Sequence, residues 1–211
     1  MAEFENAIEI KELTKRYDGF CLNQISFDVP KGSIMGFIGQ NGAGKTTTIQ
    51  AILNIIKRDG GEIRLLGLDN RKDELMIKQQ IAAVFDELPF NENLSAKQLN
   101  IILRSVYEEW NTDTFQEYLE RFQIPYKKKF SQFSKGMKMK LQIASALSHN
   151  AKLLIMDEPT APLTNREIDT LFNVIRMLKG RGVSIIYISH RLEEVMEICD
   201  RATIIDRKST R

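Results

Sequence analysis

Apolar and polar positions along the chain follow two periods, and the stretches where each holds predict the elements. Residues 7–13 alternate, Ile8 and Ile10 against Glu9 and Lys11, and residues 25–29 repeat the alternation before the turn Pro30-Lys31-Gly32. A period of two with one apolar face predicts half-buried strands. Residues 33–38 form a nearly unbroken apolar run, the pattern of a strand covered on both faces. A Gly-rich loop follows, then a helix over about 45–56, a break at Asp59-Gly60-Gly61 and strands over 62–66 and 81–85.

From about 91 to 133 the β signal fades. Residues 96–107 and 112–122 carry helical spacing with a break at Pro125, which reads as a helical insertion between strands of the main sheet. Beyond Ser134 the chain alternates: helix 134–147, strand 152–156, helix 164–179, strand 183–188, helix 191–197 and strand 202–205. Strands alternating with helices predict a parallel sheet covered on both faces. The expected fold is therefore α/β, with a mainly parallel core sheet, an N-terminal antiparallel β element and a helical subdomain inserted at about 91–150. Residues 1–211 are expected to form one domain.

Composition narrows the function classes. With 211 residues and 43% apolar side chains the chain can bury a full core, which excludes disordered and fibrous classes. Lys and Arg number 30 against 28 acidic residues, so the charge of +2 gives no pull toward nucleic acid or acidic lipid. The apolar runs are strand-sized, well short of the roughly 20 residues a membrane helix needs. The start, Met1-Ala2-Glu3-Phe4-Glu5, lacks the basic and apolar segments of a signal peptide. Cys21 and Cys199 make no disulfide framework and read as buried thiols. Together these features predict a soluble, intracellular protein.

The strongest chemical signal is Gly39-Gln40-Asn41-Gly42-Ala43-Gly44-Lys45-Thr46-Thr47. It fits G-x-x-x-x-G-K-[ST], in which glycines let successive backbone N–H groups curl round phosphate oxygens and a helix start adds its dipole. Lys45 can reach the β- and γ-phosphates and the Thr46 hydroxyl can ligate Mg²⁺. A buried strand before the loop and a helix after it are the context this motif requires. A second signal is the apolar strand ending in Asp157-Glu158. Asp157 is placed to hold Mg²⁺ beside the loop, and Glu158 to orient or deprotonate an attacking water. The two motifs together predict a phosphate-loop NTPase. Neither N-K-x-D nor D-x-x-G occurs, which argues against a GTPase, and no Arg-rich lid suggests a small-molecule kinase.

With these motifs in place the chain resembles the nucleotide-binding domain of ABC (ATP-binding cassette) ATPases over residues 7–205. Phe133-Ser134-Lys135-Gly136-Met137 stands where that family has its L-S-G-G-Q signature. The resemblance implies a head-to-tail homodimer or heterodimer in which Ser134 and Gly136 contact the γ-phosphate of ATP held by the opposite subunit. Phe133, Lys135 and Met137 depart from the signature, and Lys135 either adds charge there or is solvated. His190 matches the family's switch histidine, bridging the γ-phosphate and Glu158. Tyr17 resembles the aromatic that stacks on adenine. At the position of the family's Mg²⁺-touching Gln the chain has Asp86, followed by Glu87, and a carboxylate there can still hold the ion. Thr164 replaces an expected Asp in the loop after Glu158, which puts cross-subunit communication in doubt. The six lysines between Lys127 and Lys140 read as a solvated face.

The resemblance has a seam. Residues up to about 159 look like efflux-type ABC ATPases of Gram-positive bacteria, on Phe133 to Lys140 and Val84-Phe85-Asp86-Glu87. Residues from about 161, including Tyr187 to Val195, look like sugar-importer ATPases. The tail Arg207 to Arg211 stops where the family continues, which predicts a composite or truncated chain. The resemblance implies an ATPase that uses ATP and Mg²⁺, works with a transmembrane permease at the cytoplasmic face of the membrane, and exports substrate. Direct nucleic-acid binding is not expected; the rival reading is a soluble ABC ATPase acting on nucleic acid or ribosomes.

Overall fold

The alternating N-terminal segments pair with each other, as a half-buried pattern demands. In a computed structural model of the chain, which describes residues 5–85, 88–161 and 163–205, β1 (Asn6–Tyr17) lies antiparallel to both β2 (Phe20–Pro30) and β4 (Gly60–Leu65). With β5 (Leu68–Asp69) they form a sheet of order β2-β1-β4-β5. The apolar runs form the second sheet, of order β6-β7-β8-β3-β9, from β3 (Ile34–Gly39), β6 (Ile81–Val84), β7 (Leu153–Asp157), β8 (Ser184–Ile188) and β9 (Arg201–Ile205). All of its pairings are parallel.

In β7 and β8 both faces are buried, and successive residues point to different cores. Leu154, Met156, Ile185 and Tyr187 join one apolar cluster, with α3 (Ala96–Val106), α4 (Thr112–Arg121), α5 (Lys135–Ser148), α6 (Asn165–Gly180) and α7 (Leu192–Ile198). Leu153, Ile155, Ile186 and Ile188 join the other, with the antiparallel sheet and α1 (Lys45–Ile52). Continuous apolar runs are the sequence form of that double burial.

The differences from expectation are local. Helix α1 stops at Ile52, short of residue 56, because Asn54 turns into a left-handed φ of 55°. Strand β5 and helix α2 (Glu74–Lys78) were not anticipated. The Asn54 amide donates to Glu74 Oε2 at 2.7 Å, so side-chain bonds rather than periodicity hold α2. In the helical segment α3 opens with a capping box between Ser95 and Gln98, and α4 with Asn111 accepting from the Thr114 N–H. Among the described residues no helix is long and apolar enough to cross a membrane.

Candidate functional site

The site lies at the carboxyl end of the parallel sheet, where β3, β7 and β8 release the chain. Between β3 and α1 the loop closes on itself: the Ala43 N–H donates to Gln40 O at 3.1 Å, and the Thr48 hydroxyl to Gly44 O at 2.9 Å. Two glycines are required by space. A Cβ on Gly39 would come within 2.6 Å of Ile205 O in β9. Gly44 has φ +102°, and a Cβ there would run into the Leu22 side chain of β2. The loop is thus wedged between the two sheets. Lys45 is buried, and its ammonium donates to Gly39 O at 2.6 Å and Gln40 O at 3.3 Å, which holds the charge across the loop mouth. Thr46 is exposed.

Asp157 ends β7 opposite Ile188 of β8. Glu158 then takes φ 45°, a left-handed conformation uncommon for a residue with a side chain and costing about 1–3 kcal/mol. Its N–H donates to Ile188 O at 3.0 Å, so the strained turn is tied to the neighbouring strand. From that turn Glu158 Oε1 meets His190 Nδ1 at 3.2 Å, and the two side chains are 34% and 55% exposed. A cleft of about 500 Å³ is lined by Asn41, Gly42, Gly44, Lys45, Thr46, Thr47, Asp157, Glu158 and Phe20. An adjoining hollow shares Asn41 and Glu158 and adds Gly39, Gln40 and His190. The structure therefore brings together the loop, both carboxylates and the histidine that the sequence singled out.

Other expected residues lie elsewhere. Tyr17 is 47% exposed at the end of β1 and does not line the cleft; the Lys15 ammonium sits 5.2 Å from its ring. The aromatic at the cleft is Phe20, whose ring centroid is 6.3 Å from that of Tyr17. Sequence reasoning missed Phe20, although its position in the same hairpin as Tyr17 was a usable signal. Ser134 and Gly136 also lie outside the cleft. Ser134 caps α5, its Oγ accepting from the Met137 N–H at 3.2 Å, which uses the oxygen but not the hydroxyl proton. Asp86 falls outside the described residues. At Thr164, where a carboxylate was expected and missing, Glu167 supplies one: its Oε2 accepts from the Thr164 N–H and hydroxyl at 3.1 and 3.0 Å, while its Oε1 meets Lys140 of α5 at 3.1 Å. The Thr164 N–H is the main reason the Glu167 carboxyl lies below its usual range.

The cleft suits a polyphosphate with a hard cation. Its floor is the backbone of the phosphate loop, its buried cation Lys45 is held at the loop mouth, and Thr46 and Asp157 line the same space with oxygen donors. A parallel sheet with this loop and a carboxylate pair at the next strand's end defines a phosphate-loop NTPase. A family model described as ABC transporter matches residues 22–161, and the chain belongs to that family.

Its relatives include the ribose import ATP-binding protein of Shouchella clausii, 35% identical over 94% of this chain and 42% of its own length. The xylose import ATP-binding protein of Geobacillus kaustophilus is 35% identical with the same coverages. The galactose/methyl galactoside import ATP-binding protein of Clostridium perfringens is 34% identical over 97% of this chain and 42% of its own. The chain thus spans about 42% of the length of these curated relatives. Among solved structures, an ATP-binding subunit of an ABC transporter superposes with TM-score 0.87 at 25% identity, covering 95% of this chain and 86% of that one. These relatives correct two expectations. They are named for import, not efflux, and the likeness to them runs across the seam near residue 160 rather than beginning there. None of the three is named for nucleic acid or ribosomes.

Proposed function

We propose that this chain is a nucleotide-binding domain that binds MgATP in the cleft and hydrolyses it to ADP and phosphate, powering a membrane importer for a sugar. The observation that carries the reading is the Glu158–His190 contact at the mouth of a cleft floored by Lys45 and the phosphate loop. In that arrangement Lys45 and the loop N–H groups hold the phosphates, with Gly39 to Thr47 as the cradle. Thr46 and Asp157 would hold Mg²⁺, with Asp86 as a further oxygen donor, and the ion would neutralise charge on the phosphates. Glu158 takes a proton from water as its oxygen bonds to the γ-phosphorus and the bond to the β–γ bridging oxygen breaks. His190 steadies Glu158 and contacts the leaving phosphate. Phe20, the aromatic at the cleft, packs against the adenine, with Tyr17 beside it as a second aromatic at the rim.

Ser134 and Gly136 have no role in the cleft of their own chain, which supports a dimer in which they close the cleft of a second ABC subunit. Family membership supports a transmembrane permease as partner, at the cytoplasmic face. The import direction and sugar class rest on the names of the relatives. The test is steady-state and single-turnover ATP hydrolysis by the intact protein, with Glu158→Gln alongside. The variant is expected to retain ATP binding, to lose hydrolysis by on the order of a hundredfold or more, and to accumulate as an ATP-bound dimer. Normal turnover by Glu158→Gln would remove Glu158 from its role, and uptake of labelled ribose, xylose and galactose by cells lacking the protein tests the cargo.

A further inference from the structure

Behind the cleft lies a second carboxylate. Glu194, in the first turn of α7, is only 7% exposed. Its Oε2 accepts from three hydroxyls: Thr160 at 2.8 Å, Tyr187 at 2.9 Å and Ser189 at 2.9 Å. Its Oε1 accepts from Arg191 Nη1 at 3.1 Å. A buried carboxylate is costly unless its oxygens are bonded, and here both are. A helix start gains as much from a solvated Glu, such as its neighbour Glu193, so capping does not explain the burial.

The origin of the donors is what matters. Thr160 belongs to the turn that Glu158 opens, and Ser189 immediately precedes His190. Tyr187 lies in β8, paired with Met156 of β7. One oxygen therefore ties together the two chain segments that deliver Glu158 and His190. Ser189 Oγ also accepts from the Arg191 N–H at 3.0 Å, which closes the turn carrying His190. Burial and the Glu194 charge push the Tyr187 phenol up, so that it remains a proton donor. The whole assembly is seated on the strand that enters the phosphate loop. At Gly36 of β3 a Cβ would overlap the Val195 side chain and come within 3.2 Å of Cys199 Sγ, so α7 packs directly on that strand.

We propose that Glu194 is a positioning residue for ATP hydrolysis, holding the Glu158 and His190 turns in register through one shared acceptor. The inference rests on the ATPase reading above. It is tested on the intact protein by ATP titrations of hydrolysis, nucleotide binding and thermal unfolding, for wild type, Thr160→Val, Thr160→Ser, Ser189→Ala, Glu194→Gln and the Thr160→Val/Ser189→Ala double variant. Thr160→Val and Ser189→Ala are expected to lower kcat by roughly tenfold, the rate equivalent of one misplaced hydrogen bond, with KM for ATP within about twofold. Thr160→Ser, which keeps the hydroxyl, should restore kcat. The double variant should lose less than the product of the singles, because both donors serve one oxygen. Should Glu194→Gln fail to fold, the single-hydroxyl variants still decide. Unchanged kcat in Thr160→Val and Ser189→Ala overturns the inference, and so does a parallel loss of kcat, nucleotide affinity and melting temperature. A wild type without hydrolysis overturns the ATPase reading and this inference with it; an active wild type with indifferent variants overturns the inference alone.

Discussion

The phosphate-loop edge and the helical segment from α3 to α5 are ordered by different means. At the edge the working groups are backbone: N–H groups of a loop wedged between Leu22 and Ile205, and a Glu158 turn tied through its own N–H to β8. In the helical segment, order comes from side chains. Ser95, Asn111 and Ser134 cap helices, Trp110 Nε1 donates to Asn100 Oδ1 at 2.8 Å, and Gln142 pairs with both backbone groups of Phe85 at 2.9 and 3.0 Å. Backbone sites demand particular residues over a whole stretch, whereas a side-chain cap demands one. This accounts for a phosphate loop that keeps its full pattern beside a signature that departs at Phe133, Lys135 and Met137 while its helix still starts at Ser134.

That contrast can be broken by substitution. Gly44→Ala combines a left-handed φ with overlap on Leu22, and is expected to cost roughly 2–4 kcal/mol in urea unfolding and to abolish nucleotide binding. If it were tolerated, the loop would not be wedged as described. Gln142→Ala removes both bonds to Phe85 and should cost about 1–3 kcal/mol, leaving the loop's affinity for nucleotide unchanged when measured by fluorescence titration. Ser134→Ala, a lost cap, should cost about 1 kcal/mol, and its effect on hydrolysis should appear only at protein concentrations that support a dimer.

A pH effect comes next. His149 is buried against Tyr107 at 4.0 Å, and burial lowers its pKa from 6.5 although its ring nitrogens lie near Ser145 O and Ile81 O. Below pH 6.5 the unfolded chain takes up a proton that the folded chain resists, so stability falls as the medium is acidified; His149→Gln should flatten that slope in unfolding curves. Smallest of all, Lys78→Ala removes an exposed ion pair with Glu74 and should leave the melting temperature unmoved.

Most of the fold was legible because its elements obey one period each. The parallel strands are continuous apolar runs, and α3, α4 and α6 are amphipathic, so their predicted and observed spans differ by a residue or two. Strand β5 and helix α2 escaped because neither is long enough to show a period, and Leu75 and Met76 of α2 are exposed rather than turned inward. In the cleft, contiguous motifs such as Gly39 to Thr47 were readable, since a loop, a strand and a helix start occur in that order on the chain. Glu194 was not. A Glu-Glu pair at a helix start looks solvated, and its burial is created by Thr160, Tyr187 and Ser189, which meet it only after β7 and β8 have paired.

The approach of Leu22 to Gly44 has a thermodynamic consequence. The antiparallel sheet cannot open without unpacking the wall of the phosphate loop, so a ligand held by the loop stabilises strands it never touches. Amide protons of β4, a strand with no residue at the cleft, should therefore exchange more slowly with solvent deuterium when nucleotide is bound.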